Sequence, residues 1–169
     1  MHKLSILYSW FVRLITKLLP DIPFFMRFRG FLYSFMMKSC GKNFQVCSTS
    51  YINSLYGLDV GDNVYLAHNS VLLGKDIIIE NEVLIGPNTV VVSGNHTYLN
   101  GSFRFGASVS KPILIKKGAW IGANCTILAG SSIPECSIIG AGSVVSKKFE
   151  NLGSLYAGNP AQFIKKLDL

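Results

Sequence analysis

Three histidines offer the side chains best suited to moving a proton near neutral pH, because the unperturbed imidazole pKa is about 6.5. We expect His2 to lie in a mobile N-terminus without a chemical role. His68, in "LAHNSV", is expected to face outward as an ordinary surface histidine. His96, in "SGNHTY", opens a long segment without a pattern and is the candidate general base. The alternative for His96 is a histidine that only caps a strand end by hydrogen bonding.

The four cysteines form no recognisable metal-binding pattern. Cys40, Cys47, Cys125 and Cys136 show no CxxC spacing and no nearby pair of histidines, although protein zinc sites are built from such groups. We therefore predict no metal site. Free thiols persist in a reducing compartment, so a cytoplasmic location is the simplest interpretation.

A six-residue repeat on both sides of His96 predicts the structural elements that must position this residue. An aliphatic residue recurs at this spacing, often before a small residue, with one single-residue shift between Leu66 and Ile79. The period suits a three-sided coil that turns one aliphatic side chain inward per side. Turns of about 18 residues would then stack as parallel strands about 4.8 Å apart. The repeating positions are Val60, Leu66, Ile79, Ile85, Val91, Ile115, Ile121, Ile127, Ile133, Ile139 and Val145.

The repeat fills two blocks, residues 46–95 and 113–146, and an insertion at 94–112 separates them. Long unpatterned insertions in compact proteins are usually functional. This one carries a histidine, an arginine and three aromatic residues, which is not the composition of a linker. We therefore expect the insertion to belong to a functional site, and a disordered corner loop is the alternative.

Residues 1–45 differ from the remainder in both rhythm and charge. They hold seven basic residues and one acidic residue, a net charge of +6, while the remainder has nine basic and eight acidic residues. Apolar residues recur at helical spacing on both sides of the segment 20–23, which predicts two amphipathic helices. Charges interrupt both stretches too early for a membrane-spanning helix, and no secretory signal is expected.

Two interpretations of this helical segment stay open. Its aromatic face either caps the open end of the coil or packs against a neighbouring subunit. Alternatively, Trp10, the basic charge and the apolar face favour a helix pair that lies on an anionic membrane. Binding to nucleic acid is disfavoured because the aromatic residues are not interleaved with the basic ones.

Three C-terminal motifs resemble a known family. "GAWIGAN", "IIGAGSVVSK" and "YAGNPAQFIKK" occur in this order within residues 112–166. The segment 46–169 resembles the hexapeptide-repeat acyltransferases, and within them the sugar and polysaccharide O-acetyltransferases. The resemblance implies that the coil is a left-handed parallel β-helix. The expected fold class is therefore mainly β, with the N-terminal amphipathic helical segment before the coil and a short C-terminal helix or tail after it. It also implies a homotrimer with active sites between subunits, and acetyl-coenzyme A as the acyl donor.

The resemblance also implies roles for particular residues. His96 would act as general base in a direct transfer to a sugar hydroxyl without an acyl-enzyme. A backbone N–H near Gly122 or Ala123 of the adjacent subunit would hold the oxyanion. Family members often have threonine where this chain has Ser146. The residues implied to bind coenzyme A are Trp120 at the thioester, Gly122, Ala123 and Ala141 along the pantetheine arm, and Ser146, Lys147 and Lys165 at the nucleotide end.

The acceptor site is expected within the insertion. Aromatic faces stack on sugar rings, so the insertion is suited to form one wall of a saccharide site. The same residues are also suited to seal one subunit against the next. The candidate acceptor-binding residues are Asn95, Tyr98, Phe103 and Arg104.

Several other functions compete with a sugar O-acetyltransferase in capsule, exopolysaccharide or O-antigen biosynthesis. A γ-class carbonic anhydrase needs three zinc-binding histidines, and the repeat region has only His68 and His96. A serine acetyltransferase, or an acetyltransferase acting on a nucleotide-linked amino sugar, would share the donor and the base. A non-catalytic β-helix scaffold would need neither the histidine beside the insertion nor the C-terminal motif.

Overall fold

The chain folds into two helices followed by a three-sided coil of short strands. A computed structural model describes residues 2–169. Helix α1 spans His2–Thr16 and helix α2 spans Pro23–Ser34. Each side of the coil is a parallel sheet that takes one strand from every turn.

The three sides are named here in the order in which the chain visits them. The first side consists of β1 (Ser39–Cys40), β4 (Leu58–Val60), β7 (Ile77–Ile79), β12 (Ile113–Ile115) and β15 (Ser132–Ile133). The second side consists of β2 (Gln45–Val46), β5 (Tyr65–Leu66), β8 (Leu84–Ile85), β13 (Trp120–Ile121), β16 (Ile138–Ile139) and β18 (Ser154–Gly158). The third side consists of β3 (Tyr51–Ile52), β6 (Val71–Leu73), β9 (Val90–Val92), β14 (Thr126–Leu128) and β17 (Val144–Val145).

The six-residue repeat forms the axis of the coil, as the sequence predicts. All eleven repeating aliphatic positions are at most 1% exposed. Ile115 pairs with Ile133 and Ile121 pairs with Ile139, so one turn takes 18 residues in the second block. In the first block Val60 pairs with Ile79, which makes that turn one residue longer. The shift expected between Leu66 and Ile79 is therefore confirmed.

All of this variation in turn length falls at one corner, between the third and first sides. We call it the arm corner. It contains residues 53–57, 74–76, 93–112 and 129–131 in successive turns. Because the other corners keep a constant length, the three sheets stay in register while this corner accepts extra residues.

Glycines at the corner between the second and third sides allow the turns to stack closely. We call this corner, with residues 86–89, 122–125 and 140–143, the glycine corner. A Cβ on Gly122 would lie 2.7 Å from the Ala141 nitrogen of the next turn, and one on Gly86 would lie 2.7 Å from the Gly122 carbonyl carbon. Such distances are too short for any side chain, so the small residues of the repeat follow from close backbone contact.

Both ends of the coil are closed by side chains. Val12 of α1 and Tyr33 of α2 are buried with Phe44 at the N-terminal end. Residues 2–45 thus cap the coil, but not through their aromatic face, which remains exposed. At the other end the ring of Phe149 stacks on that of Tyr156 with centroids 4.0 Å apart.

The C-terminal segment is a β-hairpin, where the sequence left a helix or an irregular tail open. Strand β18 pairs antiparallel with β19 (Ala161–Lys166). The short β18–β19 turn allows β19 to continue the sheet of the second side. The hairpin therefore ends the coil with an antiparallel edge instead of another turn.

Candidate functional site

Residues 94–112 leave the coil as a projecting hairpin, which we call the arm. Strand β10 (Gly94–His96) pairs antiparallel with β11 (Ser108–Ser110). Beyond these strands, the backbones of Leu99 and Ser102 exchange hydrogen bonds of 2.9 and 3.0 Å. The intervening Asn100 and Gly101 both have positive φ, which suits a tight two-residue hairpin turn.

His96 lies at the base of the arm and is exposed. It stands directly opposite Ser108, and Gly94 stands opposite Ser110. Side chains alternate between the faces of a strand, so His96, Ser108 and Ser110 share one face of the arm, and Asn95 lies on the other. Within residues 2–169, no carboxylate lies within 4.0 Å of the His96 imidazole. The imidazole is therefore not engaged by an acidic side chain of the described residues.

A cavity of about 410 Å³ opens beside this face of the arm. Its lining includes Ser108 and Ser110, the residues that share a face with His96. It also includes Tyr56 and Lys75, which belong to two earlier turns at the arm corner. Within the described residues 2–169, Lys75 has no carboxylate within 4.0 Å. The cavity thus joins an aromatic ring and an unpaired ammonium group to the base of the arm. The remaining lining residues are His2, Gly74 and Gly94.

The other acceptor candidates lie towards the tip of the arm. The rings of Tyr98 and Phe103 meet edge to face with centroids 5.3 Å apart. They are 64% and 63% exposed, so neither is held in a core. The Arg104 guanidinium lies 6.0 Å from the centre of the Phe105 ring. These side chains form an exposed aromatic and basic tip suited to contact a saccharide or another subunit.

The donor candidates gather around the glycine corner. Trp120 projects outward from the second side and is 50% exposed. Gly122 and Ala123 follow it at the corner, and Ala141 lies one turn further along. Ala141 is exposed and Ala123 is half-buried, whereas Gly122 is buried against the next turn.

The hydrogen bonds at this corner separate Gly122 from the two alanines. The Gly122 N–H donates to the Ile139 carbonyl at 2.8 Å, so it cannot hold an oxyanion. Across residues 2–169, neither Ala123 nor Ala141 uses its N–H in a backbone hydrogen bond at this corner. Ala123 and Ala141 therefore offer two free donors one turn apart. The sequence offered the N–H of Gly122 or Ala123 as the oxyanion donor, and only the Ala123 N–H is free for this role.

The candidates for the nucleotide end lie at the C-terminal end of the coil. Ser146 and Lys147 directly follow β17, and Lys165 lies in β19. The Lys147 ammonium donates a hydrogen bond of 2.9 Å to the side chain of Gln162, which lies in β19 with Lys165. The two lysines therefore belong to one exposed region beyond the last turn.

The structure does not bring His96 and Trp120 to the same part of one chain. The arm leaves the corner between the third and first sides, whereas Trp120 lies on the second side. In a three-sided prism a corner lies opposite the remaining side. A site that uses both residues therefore needs two copies of the chain.

The other two histidines lie away from the arm tip. His68 is exposed, as expected, and its Nδ1 lies 3.3 Å from the Thr49 hydroxyl. His2 begins α1, and its Nδ1 lies 2.9 Å from the Ser54 hydroxyl. The expectation of a mobile His2 is therefore wrong, because α1 packs on the coil from its first turn.

A cluster of possible metal ligands also occurs, at Asp21, Cys47 and His68, whose ligand atoms lie within 4.8 Å of one another. Asp21 is already occupied, since it accepts hydrogen bonds from Arg29 at 2.6 Å and from Ser48 at 2.7 Å. Burial also raises the pKa of the Cys47 thiol, which keeps it in its weakly binding neutral form. Asp21 therefore anchors the helix pair through Arg29 and Ser48, and the exposed His68 only approaches it, with Nδ1 3.5 Å from Oδ2.

No family model matches the chain, but similar proteins agree on one family. The chain is 33% identical to a Saccharomyces cerevisiae protein named as an acetyltransferase, YJL218W. The alignment of 134 residues covers 78% of this chain and 67% of that protein. It is 29% identical over 134 residues to the galactoside O-acetyltransferase of Escherichia coli, covering 79% and 66%. A Lactococcus lactis galactoside O-acetyltransferase is 30% identical over 109 residues, covering 64% and 52%. The chain thus spans between about half and two thirds of the length of these relatives.

Solved structures agree over nearly the whole chain. A galactoside acetyltransferase in complex with coenzyme A superposes with a TM-score of 0.86 at 25% identity, covering 98% of this chain and 82% of that one. The Vibrio cholerae hexapeptide-repeat acetyltransferase VCA0836, in complex with acetyl-coenzyme A, gives 0.83 at 25% identity, covering 98% and 88%. The chain therefore belongs to the hexapeptide-repeat acetyltransferase family, and the predicted left-handed parallel β-helix is confirmed.

Sequence reasoning missed the cavity beside the arm. Tyr56 and Lys75 lie in corner turns of variable length, where the six-residue repeat carries no information. Tyr56 and Lys75 are far from His96 along the chain, and only the stacking of turns brings all three to the same corner. The one-residue shift of the repeat near Lys75 was the only feature of the sequence that pointed to an irregular corner there.

Proposed function

We propose that the chain transfers an acetyl group from acetyl-coenzyme A to a sugar hydroxyl. The main support for this function is the position of His96. It is exposed on the arm, the arm borders a cavity, and no carboxylate of the described residues contacts the imidazole. Relatives named galactoside O-acetyltransferases and neighbours with bound coenzyme A support this reaction. A role in capsule, exopolysaccharide or O-antigen biosynthesis is part of the proposal.

In the proposed mechanism, His96 accepts the proton of the acceptor hydroxyl as that oxygen attacks the thioester carbonyl carbon. The Ala123 N–H of a neighbouring subunit donates to the resulting oxyanion, which favours the tetrahedral intermediate over the ground state. The carbon–sulfur bond then breaks, and the protonated His96 returns its proton to the departing thiolate. The products are an acetyl ester and the free thiol of coenzyme A.

The proposed donor groove follows the glycine corner. Trp120 lines the thioester end, and Gly122, which is buried against the next turn, would form the floor of the groove. The free N–H groups of Ala123 and Ala141 suit the amide carbonyls of the pantetheine arm. Phosphates at the far end would meet the ammonium groups of the C-terminal region. The residues proposed there are Ser146, Lys147 and Lys165.

The acceptor is proposed to enter the cavity at the base of the arm. Its hydroxyl would reach His96 while the ring lies against Tyr56, and Lys75 would contact a polar group of the saccharide. Asn95 is not on the cavity face of the arm, and it is proposed to contact a larger acceptor from outside. The exposed Tyr98, Phe103 and Arg104 are proposed to form the outer wall of this site.

A homotrimer is proposed as the active assembly. Separation of His96 and Trp120 onto opposite parts of the coil supports this, because only a second copy supplies the missing half of each site. A closed three-fold arrangement would repeat the same heterologous contact and create three equivalent sites.

The proposed location is the cytoplasm, at the inner face of a membrane. The free cysteines Cys40, Cys47, Cys125 and Cys136 suit a reducing compartment. The basic segment 1–45 suits an anionic surface. Within residues 2–169, neither helix is long and apolar enough to cross a bilayer.

Replacement of His96 by alanine tests the proposal. Thiol release from acetyl-coenzyme A is measured with a panel of neutral and charged saccharides, and His68→Ala, an exposed histidine elsewhere, serves as the matched control. We expect kcat to fall by about 10²–10⁴-fold in His96→Ala, with unchanged coenzyme A affinity. Wild-type turnover in His96→Ala would remove the proposed base, and no transfer to any saccharide by the wild type would overturn the function.

A further inference from the structure

Helix α1 packs on the coil through its small polar side chains. The buried residues Ser5, Ser9, Val12 and Thr16 are spaced four, three and four apart and form one stripe. Ser5 lies 3.2 Å from the Ser54 hydroxyl, and the Ser9 hydroxyl donates to a backbone carbonyl of β3. The helix is therefore held by short hydrogen-bonding side chains and not by an apolar stripe.

The bulky apolar face of α1 consequently points away from the coil. Amphipathic helices of globular proteins normally bury this face. Here the large side chains on it are between 48% and 95% exposed, which is the reverse of the usual arrangement. They are Leu4, Leu7, Trp10, Phe11, Leu14, Ile15 and, just after the helix, Leu18.

Helix α2 shows the same reversal. Its buried residues are Met26, Arg29, Gly30 and Tyr33. Four phenylalanines on the opposite face are between 42% and 70% exposed, namely Phe24, Phe28, Phe31 and Phe35, which follows the helix. We call these four side chains, with the seven exposed ones of the α1 region, the outward surface.

Two contacts prevent α2 from turning its phenylalanines inward. The buried Arg29 guanidinium donates to Asp21 at 2.6 Å and to the Val46 carbonyl at 3.0 Å. A Cβ on Gly30 would lie 2.0 Å from the Phe44 carbonyl oxygen, so the helix backbone rests directly on the coil. Rotation would bury phenylalanine where only a hydrogen atom fits. The outward surface is thus fixed by the packing beneath it.

The positive charge around the outward surface favours an anionic partner. Neither α1 nor α2 contains an acidic residue, and Asp21, which lies between them, is paired with Arg29. Lys3, Lys17 and Arg27 carry the exposed positive charge of the two helices and their link, whereas the Arg13 guanidinium lies 4.6 Å from the centre of the Tyr51 ring on the coil. A second copy of the same surface would bring like charges together, whereas an anionic bilayer offers both apolar depth and negative headgroups.

We infer that the outward surface docks the protein on anionic phospholipid, with both helices lying in the plane of the bilayer interface. This inference rests on the proposed membrane location and assigns it to particular side chains. Cyclic symmetry would present three copies of the surface on the same side of a trimer. Simultaneous contact of three copies would strengthen binding well beyond that of one.

Co-sedimentation of the full chain with vesicles tests the inference. The probes are vesicles of phosphatidylcholine alone and vesicles with about a third of phosphatidylglycerol, at which surface charge is substantial. The double variant Leu7→Gln/Leu14→Gln changes residues that are 59% and 54% exposed. The matched control, Leu152→Gln/Ile164→Gln, changes residues that are 62% and 54% exposed at the other end of the coil.

We expect the wild type and the control to bind anionic vesicles, and the partition coefficient of Leu7→Gln/Leu14→Gln to fall by about ten-fold or more. Acetyl transfer to a soluble sugar should be unchanged in both variants, which separates docking from catalysis. Equal sedimentation of all three proteins, or no vesicle binding by the wild type, would overturn the inference. A wild type that assembles beyond a trimer in solution, and loses this assembly in Leu7→Gln/Leu14→Gln, would show that a second copy covers the surface instead.

Discussion

His96 and Trp120 lie on opposite parts of the same coil. His96 is carried by the arm at the corner between the third and first sides, and Trp120 projects from the second side. The proposed base and the proposed donor groove are thus separated in each chain by the width of the aliphatic core. If one site uses both residues, activity requires a second copy of the chain, and this requirement can be tested.

The glycine corner should tolerate no side chain at Gly122. In Gly122→Ala the new Cβ would lie 2.7 Å from the Ala141 nitrogen and 2.8 Å from the Ile139 carbonyl oxygen. Because backbone cannot move aside without breaking the stacking of turns, we expect a loss of about 1–3 kcal/mol in the free energy of unfolding. Chemical denaturation measures this loss.

Gly94→Ala is the matched control for this substitution. A Cβ at Gly94 meets no atom within 4 Å, and its backbone needs no positive φ. We expect a change within about 0.5 kcal/mol. Equal stability of Gly122→Ala and Gly94→Ala would contradict the close stacking described for this corner.

Asp21 should anchor the helix pair in a pH-dependent manner. Burial alone would raise the pKa of its carboxyl group, but hydrogen bonds from Ser48 and the charge of Arg29 outweigh burial and hold this pKa below its usual value. Asp21→Asn leaves the buried Arg29 without a counter-charge. We expect a loss of about 3 kcal/mol in the free energy of unfolding at neutral pH.

The sign of the pH effect follows from the lowered pKa. A carboxyl group with a depressed pKa in the folded state stabilises the protein above its unfolded pKa, and this contribution disappears as pH falls through the folded value. Because the His68 Nδ1 lies 3.5 Å from the Asp21 carboxylate, the test uses the range below about pH 5. The stability difference between wild type and Asp21→Asn should shrink there as the pH falls below about 4. Denaturation curves over this range measure it, and a difference that grows on acidification would refute the assignment.

Much of this architecture follows from the sequence alone. The six-residue repeat identifies the buried axis because only one side chain per strand reaches a narrow, dry interior. The arm is predictable as an interruption of the repeat, and His96 as its first reactive side chain. The inverted helices were not predictable, because serines such as Ser5 and Ser9 become inward residues only through their hydrogen bonds to the coil.

The finer parts of the site depend on contacts between distant residues. The sequence does not distinguish Gly122 from Ala123 as an N–H donor, since the difference lies in which carbonyl of the next turn each one meets. The cavity at the arm corner likewise joins Tyr56 and Lys75 to the arm through stacking of turns. Donor, acceptor and subunit roles therefore need separate measurements.

Two charge reversals should separate the acceptor site from the donor site. Lys75→Glu should raise KM for a saccharide acceptor by about ten-fold and leave coenzyme A affinity unchanged, because Lys75 lines the arm cavity. Lys165→Glu should weaken coenzyme A binding by about ten-fold and leave the acceptor KM unchanged. Steady-state kinetics and coenzyme A titration measure these effects, and each variant serves as the control for the other. The same effect on both ligands in either variant would contradict this division.

Mixed trimers test most directly whether each site combines His96 of one chain with Trp120 of another. His96→Ala and Trp120→Ala are purified separately, shown to have little activity, then unfolded together in equal amounts and refolded. If subunits mix at random, about a quarter of the sites combine an intact arm with an intact groove, so the mixture should recover about a quarter of wild-type activity. Refolded wild type gives the reference value. Activity of the mixture no higher than the average of the two variants refolded alone would contradict a site shared between subunits.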